Sequence, residues 1–208
     1  MIKLIIFDLD NTLFDTYGQL GAKVLENMIK RMKRAGLTDE QAETMRKKYM
    51  QTGFRILARQ MKLLSRIRKI GMDTYKSMDL ARIKPFDDIK MIKDLPQEKA
   101  LVTSGTKEVQ MKKVEILGIK KLFNEIVVDE ASSHKNKQKI FEKLMKKHHA
   151  KSCEVMVVGD NSESEIRAGS NLGMITVQML RRPFLRGKAD YYVKDLYEVK
   201  KILENERT

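Results

Sequence analysis

Short apolar runs recur along most of the chain, and polar or helix-favouring sequence separates them. Runs that are rich in Val and Ile, and too short for helices, occupy residues 2–7, 99–103, 125–128, 154–158 and 174–178. Amphipathic patterns with a helical repeat separate the later runs, over 107–117 and 137–147. Alternation of continuously apolar strands with helices is typical of a parallel sheet covered on both faces. The pattern therefore predicts an α/β fold built on a doubly wound parallel sheet.

The interval from about residue 14 to residue 87 breaks this alternation, because its apolar positions follow a helical repeat almost throughout. Two stripes of apolar side chains define that repeat: Leu20, Val24, Met28 and Met32 in the first, and Phe54, Leu57, Met61 and Leu64 in the second. Residues 36–40 (GLTDE) provide a helix stop and then a new N-cap. We therefore predict a helical domain over 14–87, inserted into an α/β domain formed by 1–13 and 88–208.

Composition agrees with a folded protein in a reducing compartment. Hydrophobic residues make up 42% of the 208 positions, which is enough for a core and argues against wholesale disorder. The one cysteine, Cys153, cannot form an internal disulfide, and its apolar surroundings predict a buried side chain. No apolar stretch approaches the roughly 20 residues that cross a bilayer. We expect a cytoplasmic protein.

The net charge of +14 is unevenly distributed, since residues 14–87 hold 17 Lys and Arg against 8 Asp and Glu. Three interpretations remain open: a solvated basic face, attraction of a phosphorylated substrate, and binding of nucleic acid. Aromatic residues are sparse among the basic segments, and no nucleic-acid-binding motif accompanies them. The sequence therefore makes nucleic acid an unlikely partner.

Candidate chemistry begins with residues 5–13 (IIFDLDNTL), where an apolar strand leads into Asp8 and Asp10. Side chains at positions i and i+2 of an extended segment point to the same side, so the two carboxylates should converge. Two negative charges at so short a distance need a cation or a shared proton to neutralise them. The pair therefore predicts a divalent-metal site, a nucleophile with an acid/base partner, or both.

Three later segments add polar groups at the ends of predicted strands. Residues 100–106 (ALVTSGT) end a strand in hydroxyls and a glycine, which suits phosphate oxygens. Residues 134–137 (HKNK) offer an ammonium at the start of a helix, and 157–166 (VVGDNSESEI) bring Asp160 and then Glu165. Asp160 alone could be a simple helix N-cap. Together with Asp8 and Asp10, however, it would lie in the crevice where open α/β sheets bind ligands.

In this order the motifs D-x-D-x-T, a strand ending in Thr-Ser, a lysine, and G-D-x-x-x-x-[DE] resemble the haloacid dehalogenase-like hydrolase superfamily. The resemblance spans nearly the whole chain. The helical insertion directly after the first motif looks like the C1 cap of phosphoglycolate-phosphatase-like members. The resemblance therefore implies a Rossmann-like core with an α-helical cap.

For the first and last motifs, the resemblance implies a role for each acidic residue. Asp8 would be the nucleophile that forms an aspartyl-phosphate, and Asp10 the general acid and base. Thr12 would support the nucleophile loop. Mg²⁺ would be bound by Asp8, the backbone carbonyl of Asp10, and Asp160, while Glu165 would act mostly through water.

For the middle motifs, the resemblance implies phosphate binding. Thr103 would bind the phosphoryl group with help from the backbone amides of Ser104 and Gly105. Lys135 would orient Asp8 and offset the phosphate charge; we prefer it to Lys137 because its spacing from the following apolar residues matches the family better.

The implied function is a Mg²⁺-dependent phosphatase, a phosphoric monoester hydrolase, acting on a small phosphorylated metabolite as a monomer or homodimer. Asp10 favours phosphate esters over dehalogenation, because only an ester has a leaving oxygen that needs a proton. A sugar phosphomutase with the same chemistry is an alternative, and a basic nucleic-acid-binding or regulatory protein on this fold is another. Residues 52–55 (TGFR) resemble the specificity loop of C1 caps, so Arg55 is a candidate to bind an anionic substrate tail.

Overall fold

Six strands form a single parallel sheet within the described part of the chain. A computed structural model describes residues 1–130, 133–181 and 186–205, without the side chains of Met50, Gln51 and His134. The strands are β1 (Leu4–Phe7), β2 (Glu98–Ser104), β3 (Glu125–Asp129), β4 (Val155–Gly159), β5 (Ile175–Met179) and β6 (Tyr191–Val193). Their order is β3-β2-β1-β4-β5-β6, with every pairing parallel. The predicted doubly wound parallel sheet is confirmed.

Helices alternate with the strands, and four more form the inserted segment. The α-helices are α1 (Ala22–Lys33), α2 (Asp39–Thr52), α3 (Phe54–Gln60), α4 (Ser65–Lys76), α5 (Lys107–Ile116), α6 (His134–Lys147), α7 (Arg167–Asn171) and α8 (Leu196–Asn205). Short 3₁₀ segments cover Asp87–Asp94, Lys120–Leu122 and Ser152–Glu154. Single π-helical turns cover Tyr17–Gly21 and Ser162–Ile166.

The two central strands are buried along their whole length, as expected for strands covered on both faces. One face of the sheet packs through Ile6, Ala100 and Val157 against Phe141 and Leu144 of α6. Five strands lie where the apolar runs predict them. The three-residue edge strand β6 was not predicted, because it is short and Tyr192 is exposed.

Strand order fixes where ligand-binding side chains can lie. The chain leaves β1 towards β2 on one side of the sheet, whereas β4 pairs with β1 on the other side. Parallel sheets bind ligands at the carboxyl ends of the strands next to this switch point. Asp8 directly follows β1 and Asp160 directly follows β4, so both lie at that edge.

The chain divides into two compact units, residues 1–15 with 84–208, and residues 16–83. In the helical unit, the predicted stripe of Leu20, Val24, Met28 and Met32 is buried. Thr38 forms the predicted N-cap of α2, in a capping box with Gln41. That this unit is a C1-type cap stays a prediction.

Two smaller predictions were wrong. Leu64 is 60% exposed, because α3 ends at Gln60 and Lys62 takes a left-handed conformation with φ of 50°, so the helical repeat loses its phase. Cys153 is exposed, because it lies in a 3₁₀ turn that precedes β4 rather than in the strand. No described helix is long and apolar enough to cross a membrane.

Candidate active site

Asp8 lies at the end of β1, and the sheet holds its backbone in place. Its amide donates a hydrogen bond to the carbonyl of Val158 at 2.9 Å. Its side chain is 9% exposed, and the Nζ of Lys137 lies 3.0 Å from its Oδ1. Nζ of the same lysine lies 2.7 Å from Oε2 of Glu165. One buried ammonium therefore contacts two carboxylates.

The lysine beside Asp8 is Lys137, so the prediction of Lys135 was wrong. Lys135 is exposed, whereas Lys137 is 1% exposed. Lys137 shares one face of α6 with Phe141 and Leu144, at spacings of four and seven residues, and both are buried. Lys135 lies two positions earlier, on the opposite side of the helix. The helical repeat of the apolar residues is the sequence signal that identifies Lys137.

Asp160 lies between β4 and the π-helical turn that follows it, and Glu165 lies within that turn. Asp160 is buried, and its carbonyl accepts a hydrogen bond from Nε2 of Gln178 at 3.0 Å. Oε1 of Glu165 accepts a hydrogen bond from the amide of Asn161 at 2.7 Å. A Cβ atom at Gly159 would overlap the Glu165 side chain, so any larger residue there would displace Glu165. The turn thus places two carboxylates next to Asp8.

Carboxylate oxygens of Asp8, Asp160 and Glu165 all lie within 4.8 Å of one another. Burial, and then the other carboxylates, raise the pKa of Asp8 to about 7 although Lys137 opposes the shift. Burial, Glu165 and Asp8 also raise the pKa of Asp160. Burial opposes the charge of Lys137, but the carboxylates outweigh it and raise the pKa of that ammonium. These three buried carboxylates carry more negative charge than the Lys137 ammonium balances, and hard oxygen donors of this kind fit a divalent cation.

Asp10 contacts a different pair of side chains, which the sequence analysis did not predict. Nζ of Lys113 lies 2.6 Å from its Oδ1, and Nε2 of Gln110 lies 2.7 Å from its Oδ2. Both partners project from α5 and are buried. The available signal was a lysine and a glutamine on the same helical face as Leu117, where the repeat demands apolar residues.

The end of β2 differs in one respect from the predicted phosphate-binding segment. Thr103 is buried, and its Oγ1 accepts a hydrogen bond from Nε2 of Gln110 at 2.5 Å. The amide of Gly105 donates to the carbonyl of Asp129 at 3.0 Å, so the prediction that this amide binds phosphate was wrong. Gly105 instead supplies a φ of 145°, which favours glycine. Phosphate binding by Thr103 and Ser104 stays a prediction.

Thr12 lies in the turn that follows Asp8 and Asp10, and Arg181 holds its backbone. Nε of Arg181 donates to the Thr12 carbonyl at 3.1 Å, and its NH2 contacts both oxygens of Asp88 at 2.8 and 2.6 Å. The guanidinium carbon also lies 3.9 Å from the centroid of the Phe86 ring. Oγ1 of Thr12 is buried without a hydrogen-bond partner among the described residues. Thr12 thus contributes to the turn through its carbonyl.

Arg55 lies in the first turn of α3, and this helix begins directly after Gly53, whose φ is 73°. Its side chain is partly exposed. It belongs to the helical unit, and its predicted contact with a substrate stays a prediction.

Comparison with known proteins agrees with this geometry. The sequence profile of the haloacid dehalogenase-like hydrolases matches residues 5–179. The chain belongs to this family. Two curated relatives are named glyceraldehyde 3-phosphate phosphatase. The protein of Methanopyrus kandleri is 29% identical over 87% of this chain and 85% of its own. That of Methanocaldococcus jannaschii is 28% identical over 99% of this chain and 98% of its own.

A solved structure supports the fold of this haloacid dehalogenase-like chain. A protein from Haemophilus somnus, described as a predicted phosphoglycolate phosphatase, superposes with a TM-score of 0.74 at 20% identity. The match covers 97% of this chain and 98% of the other. The predicted family and fold are confirmed, and the relatives' names support the predicted class, phosphoric monoester hydrolase.

Proposed function

We propose that the chain is a phosphatase that hydrolyses the phosphate monoester of a small metabolite, with glyceraldehyde 3-phosphate as the first substrate to test. The observation that supports it most is the buried group formed by Asp8, Lys137, Asp160 and Glu165, with Asp10 two residues from Asp8. The names of the curated relatives support the substrate.

In the first step a carboxylate oxygen of Asp8 attacks phosphorus, and the bond from phosphorus to the ester oxygen breaks. Asp10 gives a proton to that leaving oxygen, so an alcohol departs rather than an alkoxide. The product on the enzyme is an aspartyl-phosphate. Lys137 contacts Asp8 throughout and offsets part of the negative charge that collects there.

In the second step Asp10, now ionised, takes a proton from water as the water oxygen attacks phosphorus. The bond from phosphorus to Asp8 breaks, inorganic phosphate leaves, and both carboxyl groups return to their starting states. Covalent catalysis of this kind divides one difficult displacement into two easier ones.

Asp8 and Asp160 would hold Mg²⁺, with the Asp10 carbonyl as a further donor. Bound there, the ion would supply positive charge to the transferring phosphoryl group. Glu165 is engaged by Lys137 and Asn161, so it would fix the lysine and the turn rather than the ion itself.

The test is phosphate release from glyceraldehyde 3-phosphate with Mg²⁺, by the wild-type chain and by Asp8→Asn. We expect Asp8→Asn to abolish release, because an amide cannot form the acyl phosphate. Asp94→Asn, at an exposed site of the same unit, is the matched control and should keep full activity. Substantial turnover by Asp8→Asn would contradict the proposal. Isomerisation of a sugar monophosphate without phosphate release would favour a mutase instead.

A further inference from the structure

Two buried side chains of α5 contact Asp10, and neither belongs to the four motifs of the family. Lys113 is 2% exposed and Gln110 is 0% exposed. They lie three residues apart, so they project from one face of the helix. Each binds a different oxygen of the Asp10 carboxylate, at 2.6 and 2.7 Å. Both oxygens of this carboxylate therefore have a donor from the same helix.

The polar groups of Lys113 and Gln110 are stable in a buried position only when they have partners there. A lysine away from water is unfavourable without a partner, and the Asp10 carboxylate supplies one. Nζ of Lys113 also lies 5.5 Å from the centroid of the Phe14 ring. Phe14 is part of the turn that follows Asp10. The contacts thus join α5 to the segment that contains the nucleophile.

The amide nitrogen of Gln110 contacts three oxygen atoms. Its Nε2 lies 2.7 Å from Oδ2 of Asp10, 2.5 Å from Oγ1 of Thr103 and 3.0 Å from the carbonyl of Ser104. Carboxylate and carbonyl oxygens only accept, so the NH₂ group must point towards them. Gln110 therefore connects Asp10 to the strand end predicted to bind the phosphoryl group.

We propose that Lys113 and Gln110 are positioning residues that fix the orientation of the Asp10 carboxylate for proton exchange with the leaving oxygen. Each carboxylate oxygen has two lone-pair directions, so it can accept one hydrogen bond from α5 and still exchange a proton through the other. A carboxylate held at two points cannot rotate away from the ester oxygen. This inference rests on the proposed phosphatase activity.

The experiment compares kcat/KM of Lys113→Met with that of Lys112→Met, an exposed neighbour on the same helix. Two substrates are used, glyceraldehyde 3-phosphate and p-nitrophenyl phosphate, because the second has a leaving group that needs little protonation. Misplacing a catalytic group by about 1 Å can cost 10²-fold in rate. We expect a loss of that order on the alkyl ester and a loss several-fold smaller on the aryl ester.

A double-mutant cycle with Asp10→Asn separates positioning from general damage to the fold. In the Asp10→Asn background the carboxylate is gone, so Lys113→Met should lower kcat/KM by no more than about twofold further. Gln110→Leu should show the same substrate pattern, and it serves if Lys113→Met does not fold.

Equal losses on both substrates, or a full additional loss in the Asp10→Asn background, would overturn the inference while the proposed function stands. Wild-type protein that releases no phosphate from either ester would overturn the proposed function, and this inference with it.

Discussion

Asp8 is a carboxylate on which burial and an adjacent ammonium act in opposite directions. Burial and the other carboxylates favour its neutral form, and Lys137 favours its ionised form. The balance leaves its pKa at about 7, against 3.8 for an ordinary aspartate. The proposed nucleophilic attack requires an ionised Asp8, and a cation held by Asp8 and Asp160 would favour that form near neutral pH.

This shift predicts how stability changes with pH when no metal is bound. Between about pH 4 and 7 the folded chain keeps a proton on Asp8 that the unfolded chain has released. The free energy of unfolding should therefore fall as pH rises through this range, because protonation favours the folded state. Urea unfolding in EDTA at several pH values measures the slope.

Asp8→Asn is the control, since its amide does not titrate and its slope should be smaller than that of the wild type. Mg²⁺ should stabilise the wild type more at pH 8 than at pH 5, because a ligand must lose its proton before it binds metal. Identical slopes for wild type and Asp8→Asn would contradict the pKa shift.

The position of a site residue was predictable from the sequence when the residue directly follows a strand. Asp8 and Asp160 each follow a run of buried β residues, so strand order alone brings them together. Lys113 and Gln110 were not predictable in this way, because their contacts with Asp10 cross about 100 residues of sequence and depend on how α5 rotates about its axis. Their position on the apolar face of α5 indicates burial, but it does not identify Asp10 as the partner.

At the level of elements, the rotation of α6 decides which lysine reaches Asp8. Lys137 lies on the face that packs on the sheet, and Lys135 lies on the solvent face. The preference for Lys135 compared only the number of residues between the lysine and the following apolar positions with the family's spacing, and that number does not show which face of α6 a side chain occupies.

The two lysines make a matched pair of variants. Lys137→Met should abolish activity and lower the free energy of unfolding by about 3–5 kcal/mol, because two buried carboxylates lose their ammonium. Lys135→Met should change stability by no more than about 0.5 kcal/mol, as exposed substitutions do. Urea unfolding and phosphate release measure both effects. Equal behaviour of the two variants would show that Lys137 is not the site lysine.

The junction of β4 with its π-helical turn has no room for a side chain at Gly159. Gly159→Ala should displace Glu165, free Lys137 from one of its carboxylates, and lower kcat by about 10²-fold. Overpacking should also lower the free energy of unfolding by about 1–3 kcal/mol.

Glu165→Ala tests whether overlap with Glu165 causes these losses, because it removes the side-chain atoms that a Cβ at position 159 would meet. In the Glu165→Ala background, Gly159→Ala should cost little further stability. A full loss in both backgrounds would indicate backbone strain rather than the overlap with Glu165.

At the scale of the whole molecule, the sequence predicted the sheet, its five longer strands and the helical insertion. These follow from apolar periodicity, which a single sequence displays. The sequence analysis also offered a solvated face as one interpretation of the dense basic segments. The structure leaves five of their side chains exposed: Lys47 and Lys48 of α2, and Arg66, Arg68 and Lys69 of α4. That agrees with a solvated basic face, while attraction of an anionic substrate stays a prediction.

The central claim is that Asp8 accepts a phosphoryl group, and trapping that intermediate tests it most directly. Asp10→Asn should slow its hydrolysis, so this variant is mixed with p-nitrophenyl phosphate and Mg²⁺, quenched in acid and reduced with borohydride, which converts an acyl phosphate to an alcohol. Peptide mass spectrometry should then find homoserine at position 8, and none when Asp8 is also replaced by Asn. Continued release of p-nitrophenol with position 8 unmodified, or modification of another carboxylate, would contradict the account.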